Sequence, residues 1–419
     1  MHPSYLTERL WMRFFIYLNL IVLISIPIDM IYGTTGAMGR ALNSSVLLSI
    51  VFLGTLFGLL KCLRSPNERK FLIATGLFAL YSIGVSFYGE TNPVLTTAAL
   101  LSLFGGIAAG LGAYALEKSQ ADTLRHTTKW LMIGALPILF LPHLVTVTAD
   151  RFDSWMNELY AFSNVRALGH YAAIAIAATI GAGHAIFTKK AAPILGPVAH
   201  FPLLAMFWLI LFWSGSRAGV LSLVIAFVIT ALILWRTGIK ELVYNLAACS
   251  AGAILSLLYF VPGSSYGLLN RINKTAQGVS GGDVEKVTSN RTDLWTWVFE
   301  RILEKPWTGW GYITMAEIKV PELHYYHAHN IVLEYWLSFG FIVGTAALAL
   351  GIWLYVYAAR AARQDDDPLA LGALLMITLL PIYSLFSAVL INPYQLICFS
   401  IAIGALIGRK VLRESQKKV

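Results

Sequence analysis

Charge is scarce in this chain. Of 419 residues only 22 are acidic and 31 basic, 13% in all, where an ordinary soluble domain carries about twice that share. Too few polar side chains are present to cover a water-soluble globule of this length. Cysteine is almost missing as well: Cys62, Cys249 and Cys398 lie in or beside apolar stretches, so no disulfide framework is indicated. No Gly-x-x-x-x-Gly-Lys-Ser/Thr loop for nucleotide phosphates occurs. The basic residues are dispersed over many loops without a continuous stripe, which argues against nucleic acid despite the +9 net charge. Internal repeats and low-complexity segments are also lacking, so nothing suggests duplicated halves.

What is abundant is hydrophobic sequence, 57% of the chain. It comes in blocks of roughly twenty residues, the length a helix needs to cross ~30 Å of hydrocarbon. The blocks fall near 14–32, 46–63, 71–89, 94–116, 128–148, 170–188, 197–213, 219–236, 241–260, 331–358, 369–390 and 393–408. The pattern predicts an all-α polytopic membrane protein of about 12 spans. The division between the seventh and eighth is the narrowest, since only Ser214-Gly215-Ser216-Arg217-Ala218 interrupts the apolar run. Arg9 and Arg13 precede the first block like a signal sequence, but that block is long and shows no clear small-residue cleavage site, so it reads as a retained helix.

Orientation follows from the basic residues, which short cytoplasmic loops retain. With both termini inside, the inner loops receive 20 of the 31, while the short outer loops keep only Arg40, Arg151, Arg166 and Arg217. The arrangement expected is N-in, C-in. The chain then divides into residues 1–260 (nine spans), a large outer loop at 261–330, and residues 331–419 (three spans and a basic inner tail). A smaller outer segment, 149–169, is polar and aromatic. Asp365-Asp366-Asp367 falls on the inner side and reads as a solvated turn.

The large loop opens with Val261-Pro262-Gly263 and carries Gly278, Gly281 and Gly282 at an expected flexible point. A compact helix signal follows: Asn290 as N-cap, then Leu294, Trp297, Val298, Arg301 and Ile302 at helical spacing, stopped by Pro306. Leu294, Trp295, Trp297, Val298, Phe299 and Ile302 of this segment suit the bilayer interface, where tryptophan is favoured. After it come the turn Trp307-Thr308-Gly309-Trp310-Gly311-Tyr312 and the run His324-Tyr325-Tyr326-His327-Ala328-His329-Asn330, which leads into the tenth span.

Arg217 runs against the charge bias of the rest of the chain. It is either a snorkelling side chain on lipid headgroups or an anion clamp, with small Gly and Ser neighbours admitting a bulky phosphate ligand. Arg291 opens the loop helix, where the helix dipole disfavours a cation. It is a solvated surface residue or part of an anion site shared with backbone donors. Arg166 is a third contact or a structural partner of Asp150, Asp153 or Glu158, and Asn164 has the same ambiguity. The histidines admit three readings: metal ligands, structural hydrogen bonders, or a general base acting near neutral pH. A zinc site is disfavoured because neither a helical His-Glu-x-x-His pattern nor cysteine partners occur. His329 is the best-placed base, held by Asn330 and the following helix, with His327 orienting it or touching substrate. The first outer loop lacks the Asp-x-Asp pair of metal-dependent lipid-linked glycosyltransferases, so neither ATP nor a metal is called for.

Ser-Gly-Ser-Arg217-Ala-Gly, Arg291 with Leu294-Trp295, Gly309-Trp310-Gly311-Tyr312 and His327-Ala328-His329-Asn330, in that order from about Asn164 to Glu334, resemble the O-antigen ligase superfamily. That superfamily also contains O-antigen polymerases and protein O-oligosaccharyltransferases. The resemblance implies an inner-membrane glycosyltransferase of lipopolysaccharide biosynthesis with its site on the periplasmic face. Its donor would be a glycan on undecaprenyl diphosphate and, for a ligase, its acceptor a hydroxyl of lipid A-core. Arg217 and Arg291 match the diphosphate-holding arginines and His329 the catalytic histidine. His327, Arg166, Asn164, Tyr325 and Trp310 are possible further substrate contacts, with no cofactor and no metal. One outer loop of about seventy residues beside one of about twenty favours a ligase over a polymerase, which generally shows two comparable loops. A lipid-linked oligosaccharide transporter is the reading from another class. Transporters bury carboxylates near the midplane, whereas Asp29, Glu241 and Glu334 lie near helix ends and His143, His184 and His200 are isolated.

Overall fold

A computed structural model describes residues 66–88, 93–118, six positions between 124 and 135, 165–186, 196–258, 268–281, 291–312, 327–365, 367–387 and 389–417. Every regular element among them is helical. In chain order these are α1 (Pro66–Tyr88), α2 (Pro93–Lys118), α3 (Val165–Ile186), α4 (Gly196–Trp213), α5 (Arg217–Ile233) and α6 (Trp235–Leu258). They are followed by α7 (Leu268–Ser280), α8 (Arg291–Glu304), α9 (Ile331–Arg363), α10 (Pro368–Ser387), a 3-10 turn (Val389–Ile391) and α11 (Pro393–Gln416). The expected spans at 14–32 and 46–63 lie outside the described residues, and the span at 128–148 lies almost wholly outside them.

Four of the described helical stretches, Leu100–Lys118, Ile331–Arg363, Pro368–Ser387 and Tyr394–Gln416, are long and apolar enough to cross a membrane. Shorter apolar helices run at Ile73–Ser86, Leu168–Gly181, His200–Trp213 and Arg217–Ile233. Their outer faces carry apolar stripes: Ile73, Leu77 and Leu80 on α1, and Leu221, Val224, Val228 and Leu232 on α5, are exposed at helical spacing. Water would disfavour such stripes and hydrocarbon favours them. These are the features of an integral membrane protein.

α10 is the central post of the bundle. Almost every residue from Leu369 to Leu380 is buried, and α3, α5, α9 and α11 all pack on it. Against α3 the fit depends on missing side chains: a Cβ on Gly372 would lie 2.6 Å from the Gly181 Cα. Small residues at such crossings let two helices approach closely where no hydrophobic force separates lipid from protein.

The tenth span differs from its sequence expectation. α9 is broken at Gly340, whose φ of 75° and ψ of 173° belong to a region essentially reserved for glycine. The turn after α8 fills the break. Trp310 and Gly311 donate their backbone N–H groups to the carbonyls of Leu337 and Ser338, at 2.8 and 3.1 Å, and Phe341 N–H donates to the Pro306 carbonyl at 2.7 Å. The backbone groups freed by the break are thus satisfied, which non-helical backbone at membrane depth requires. Gly309 makes the approach possible, because a Cβ there would stand 2.6 Å from the Gly340 nitrogen. Tyr81 of α1 adds its hydroxyl to the Phe339 carbonyl at 3.2 Å.

Three other expectations are corrected. Gly278 lies inside α7, which ends at Ser280, so of the three glycines expected at a flexible point this one is helical, while Gly281 forms a turn and Gly282 lies outside the described residues. Leu294, Val298 and Ile302 of α8 are fully buried in protein against Ala328 and Leu337, rather than lying in a bilayer interface. Asp365 and Asp367 are not merely solvated. Arg409 bridges Glu117 at 2.6 Å and Asp367 at 2.8 Å, and Arg413 reaches Asp365 at 3.2 Å. This charge cluster fastens α2, the α9–α10 turn and α11 together, as a desolvated arginine with several carboxylate partners can.

Candidate active site

Arg217 is the first residue of α5, and Ser216 is its N-cap, accepting the Gly219 N–H at 3.3 Å. Ser216 is in turn hydrogen-bonded to the hydroxyl of Tyr383, near the end of α10. The ring of His170 stands edge-on to Tyr383 at 4.8 Å, and its Nε2 lies 3.3 Å from the Ser387 hydroxyl. Gly169 packs so tightly under this turn that a Cβ would be 2.8 Å from the Ser214 hydroxyl. Arg217 itself is half-buried. A groove of about 310 Å³ runs from it along α5, lined by Phe212, Gly215, Ser216, Val220, Leu221 and Val224. One cationic group thus sits at the head of an apolar trough.

Arg291 is likewise the first residue of its helix, α8, and half-buried. Both arginines therefore stand at a helix N-terminus, where the helix dipole favours an anion. One turn along α8, Trp295 donates its indole N–H to the Ala328 carbonyl at 2.9 Å. That bond, with the Leu294–Val298–Ile302 stripe packed on Ala328 and Leu337, seats the helix on the histidine turn.

The histidine turn is tightly specified. His329 is 8% exposed and has φ of 52°, the one non-glycine residue in the left-handed region among those described. Such a conformation costs of order 1–3 kcal/mol and persists where surroundings fix it. The Ala328 N–H donates to the buried Glu334 carboxylate at 2.7 Å. Asn330 caps α9 by accepting from the Val332 and Leu333 N–H groups at 2.9 and 3.3 Å. Its side-chain N–H reaches the Leu385 carbonyl at 3.3 Å. The His327 ring packs edge-on against His329 with centroids 4.1 Å apart.

The expected site residues are therefore placed unevenly. His329 and Arg217 are fastened to the same end of α10, one through Asn330 and Leu385 and the other through Ser216 and Tyr383. Arg291 joins through α8 and Trp295. Trp310 directs its indole N–H to the Arg301 carbonyl at 2.8 Å and carries the Lys305 ammonium 3.8 Å above its ring. Arg166 falls in the first turn of α3, while Asn164, Tyr325 and His324 lie outside the described residues. Sequence reasoning missed Tyr383, His170 and Ser387. Within a hydrophobic run they read as ordinary core, and no spacing signal sets them apart. Tyr312 is buried against Phe339, its ring stacked on it with centroids 5.7 Å apart.

Comparison with known families finds a match, and the matching segment is the one that carries the Arg217, Arg291 and His329 turns. Residues 202–348 match the family model described as O-antigen ligase. A match to this family implies glycan transfer and, in general terms, lipid-linked glycan substrates. No curated protein matches the chain. The ligase-family segment runs from α4 through the Gly340 break, so it encloses both arginine-headed helices and the whole histidine turn.

Proposed function

We propose that this protein is an O-antigen ligase, moving O-antigen polysaccharide from undecaprenyl diphosphate to a hydroxyl of lipid A-core at the periplasmic face of the inner membrane. One observation carries the reading: the ligase-family segment contains Arg217, Arg291 and His329 on turns that hydrogen bonds fasten to a common frame. Arg217 and Arg291 neutralise the diphosphate as it departs, aided by the helix N-termini they head, an electrostatic contribution that needs no proton bookkeeping. The groove beyond Arg217 suits the apolar part of a lipid donor. His329 takes the proton from the acceptor hydroxyl, which attacks the anomeric carbon in line and inverts it. A positioned base of this kind is worth roughly 10²–10⁴ in rate. His327 sits against His329 and orients it or meets the sugar. Arg166, Asn164, Tyr325 and Trp310 remain candidate contacts to the glycans. The chemistry calls for neither metal nor nucleotide cofactor.

The test is reconstitution: purified protein, undecaprenyl-diphosphate glycan and lipid A-core, with mass spectrometric detection of a new linkage. Transfer to core supports the ligase. Transfer only onto a second lipid-linked glycan supports the polymerase of the same superfamily, and transfer to protein the oligosaccharyltransferase. Movement of donor across liposomes with no glycosidic product would make it a transporter.

A further inference from the structure

Glu334 is a carboxylate at the head of a membrane helix, yet it is only 1% exposed. Burying an ionisable group there is costly, and such groups mark function more often than stability. Its environment shows what it does. Oε2 receives the Ala328 N–H at 2.7 Å, and on the other side of that residue the Ala328 carbonyl receives the Trp295 indole N–H at 2.9 Å. Ala328 is thus gripped at both ends by side chains from two different helices, α9 and α8. The next residue is His329, in the left-handed backbone conformation. Asn330, one further on, is fixed as the α9 cap. A non-glycine residue in that region requires surroundings that over-determine it, and Glu334, Trp295 and Asn330 supply three such restraints within three consecutive residues.

We propose that Glu334 is a positioning residue for His329, acting as the buried acceptor that sets the Ala328 peptide and so aims the imidazole; this rests on the reading of His329 as the base. What the turn requires of Glu334 is the acceptor oxygen at that point. Glutamine offers a carbonyl oxygen at the same reach, alanine offers none, and a base displaced by about 1 Å loses about 10²-fold in rate.

The experiment measures glycan transfer per folded molecule, with kcat and donor KM separated, for Glu334→Ala, Glu334→Gln and Trp295→Phe beside His329→Ala. The expected result is a fall in kcat of about 10- to 100-fold for Glu334→Ala with donor KM within about twofold of normal. Glu334→Gln restores most of that loss, and Trp295→Phe, which keeps the ring but loses the N–H, falls in the same direction as Glu334→Ala. Normal kcat in Glu334→Ala, or an equal loss in Glu334→Gln, overturns the proposal. Should Glu334→Ala fail to fold, unchanged kcat in Trp295→Phe overturns it instead. If His329→Ala turns over normally, the base assignment itself has failed. If His329→Ala is inactive while Glu334→Ala is normal, only the positioning role has failed.

Discussion

Asn330 joins the α9 turn to α10 by donating its side-chain N–H to the Leu385 carbonyl at 3.3 Å. Two residues earlier on the same helix, Tyr383 holds Ser216, the cap of the helix that Arg217 begins. The proposed general base and one proposed diphosphate clamp therefore hang from a single short stretch of α10. A transferase needs this, since its base and its leaving-group clamp must keep one geometry while donor and acceptor are both bound.

Tyr383→Phe tests the arginine end of this frame. It removes the hydroxyl that holds the Ser216 cap and leaves the ring against His170. We expect a stability loss of about 1 kcal/mol, typical of one buried hydrogen bond. A rise in donor KM should accompany it, because Arg217 would no longer be held in place. Titration of purified enzyme with donor reads both quantities.

Arg217→Ala and Arg291→Ala should each lower kcat/KM for the donor by about 10²-fold or more, the range seen when an electrostatic stabiliser of a transition state is removed. Lysine at either position should recover only part of the loss, since it lacks the planar fork that matches phosphate oxygens. Steady-state transfer rates with a fixed acceptor check this.

Gly340→Ala should be among the most damaging single changes outside the site. Its φ of 75° is unfavourable for alanine, and the added methyl would run into the Trp307 carbonyl. A cost of about 3 kcal/mol or more is expected, combining backbone strain with displacement of the 306–311 turn. Thermal unfolding in detergent should show it as a clear drop in midpoint or a loss of folded protein.

Arg409→Met would leave the Glu117 carboxylate, 4% exposed, without its guanidinium partner. Breaking a buried pair from one side costs about 3–5 kcal/mol. The double change Glu117→Leu with Arg409→Met should recover much of it, because both charges then leave together. Unfolding midpoints of the single and double variants decide the matter.

Much of this was legible in the sequence because membrane spans announce themselves. The apolar blocks from 71 to 89, 94 to 116 and 369 to 390 correspond to α1, α2 and α10 within a few residues. The Ser214–Ala218 interruption contains a true turn at Ser214-Gly215-Ser216, since glycine and two serines between apolar runs leave the backbone little else to do. The break at Gly340 was not legible, because a lone glycine in an apolar run is commonplace and only the incoming 306–311 turn makes its conformation necessary. Asp365 and Asp367 misled for a similar reason. Their partners Arg409 and Arg413 are more than forty residues away, where periodicity carries no information. At the site, Arg217, Arg291 and His329 stood out as charge or proton chemistry in places that resist it. Tyr383 and Glu334 did not, since their importance lies in what they touch.

The measurement that bears most directly on the account is transfer by His329→Ala, purified in folded form, from undecaprenyl-diphosphate glycan to lipid A-core. A general base at this position predicts a loss of about 10²–10⁴ in kcat. Turnover by folded His329→Ala at the normal rate would contradict the account at its centre.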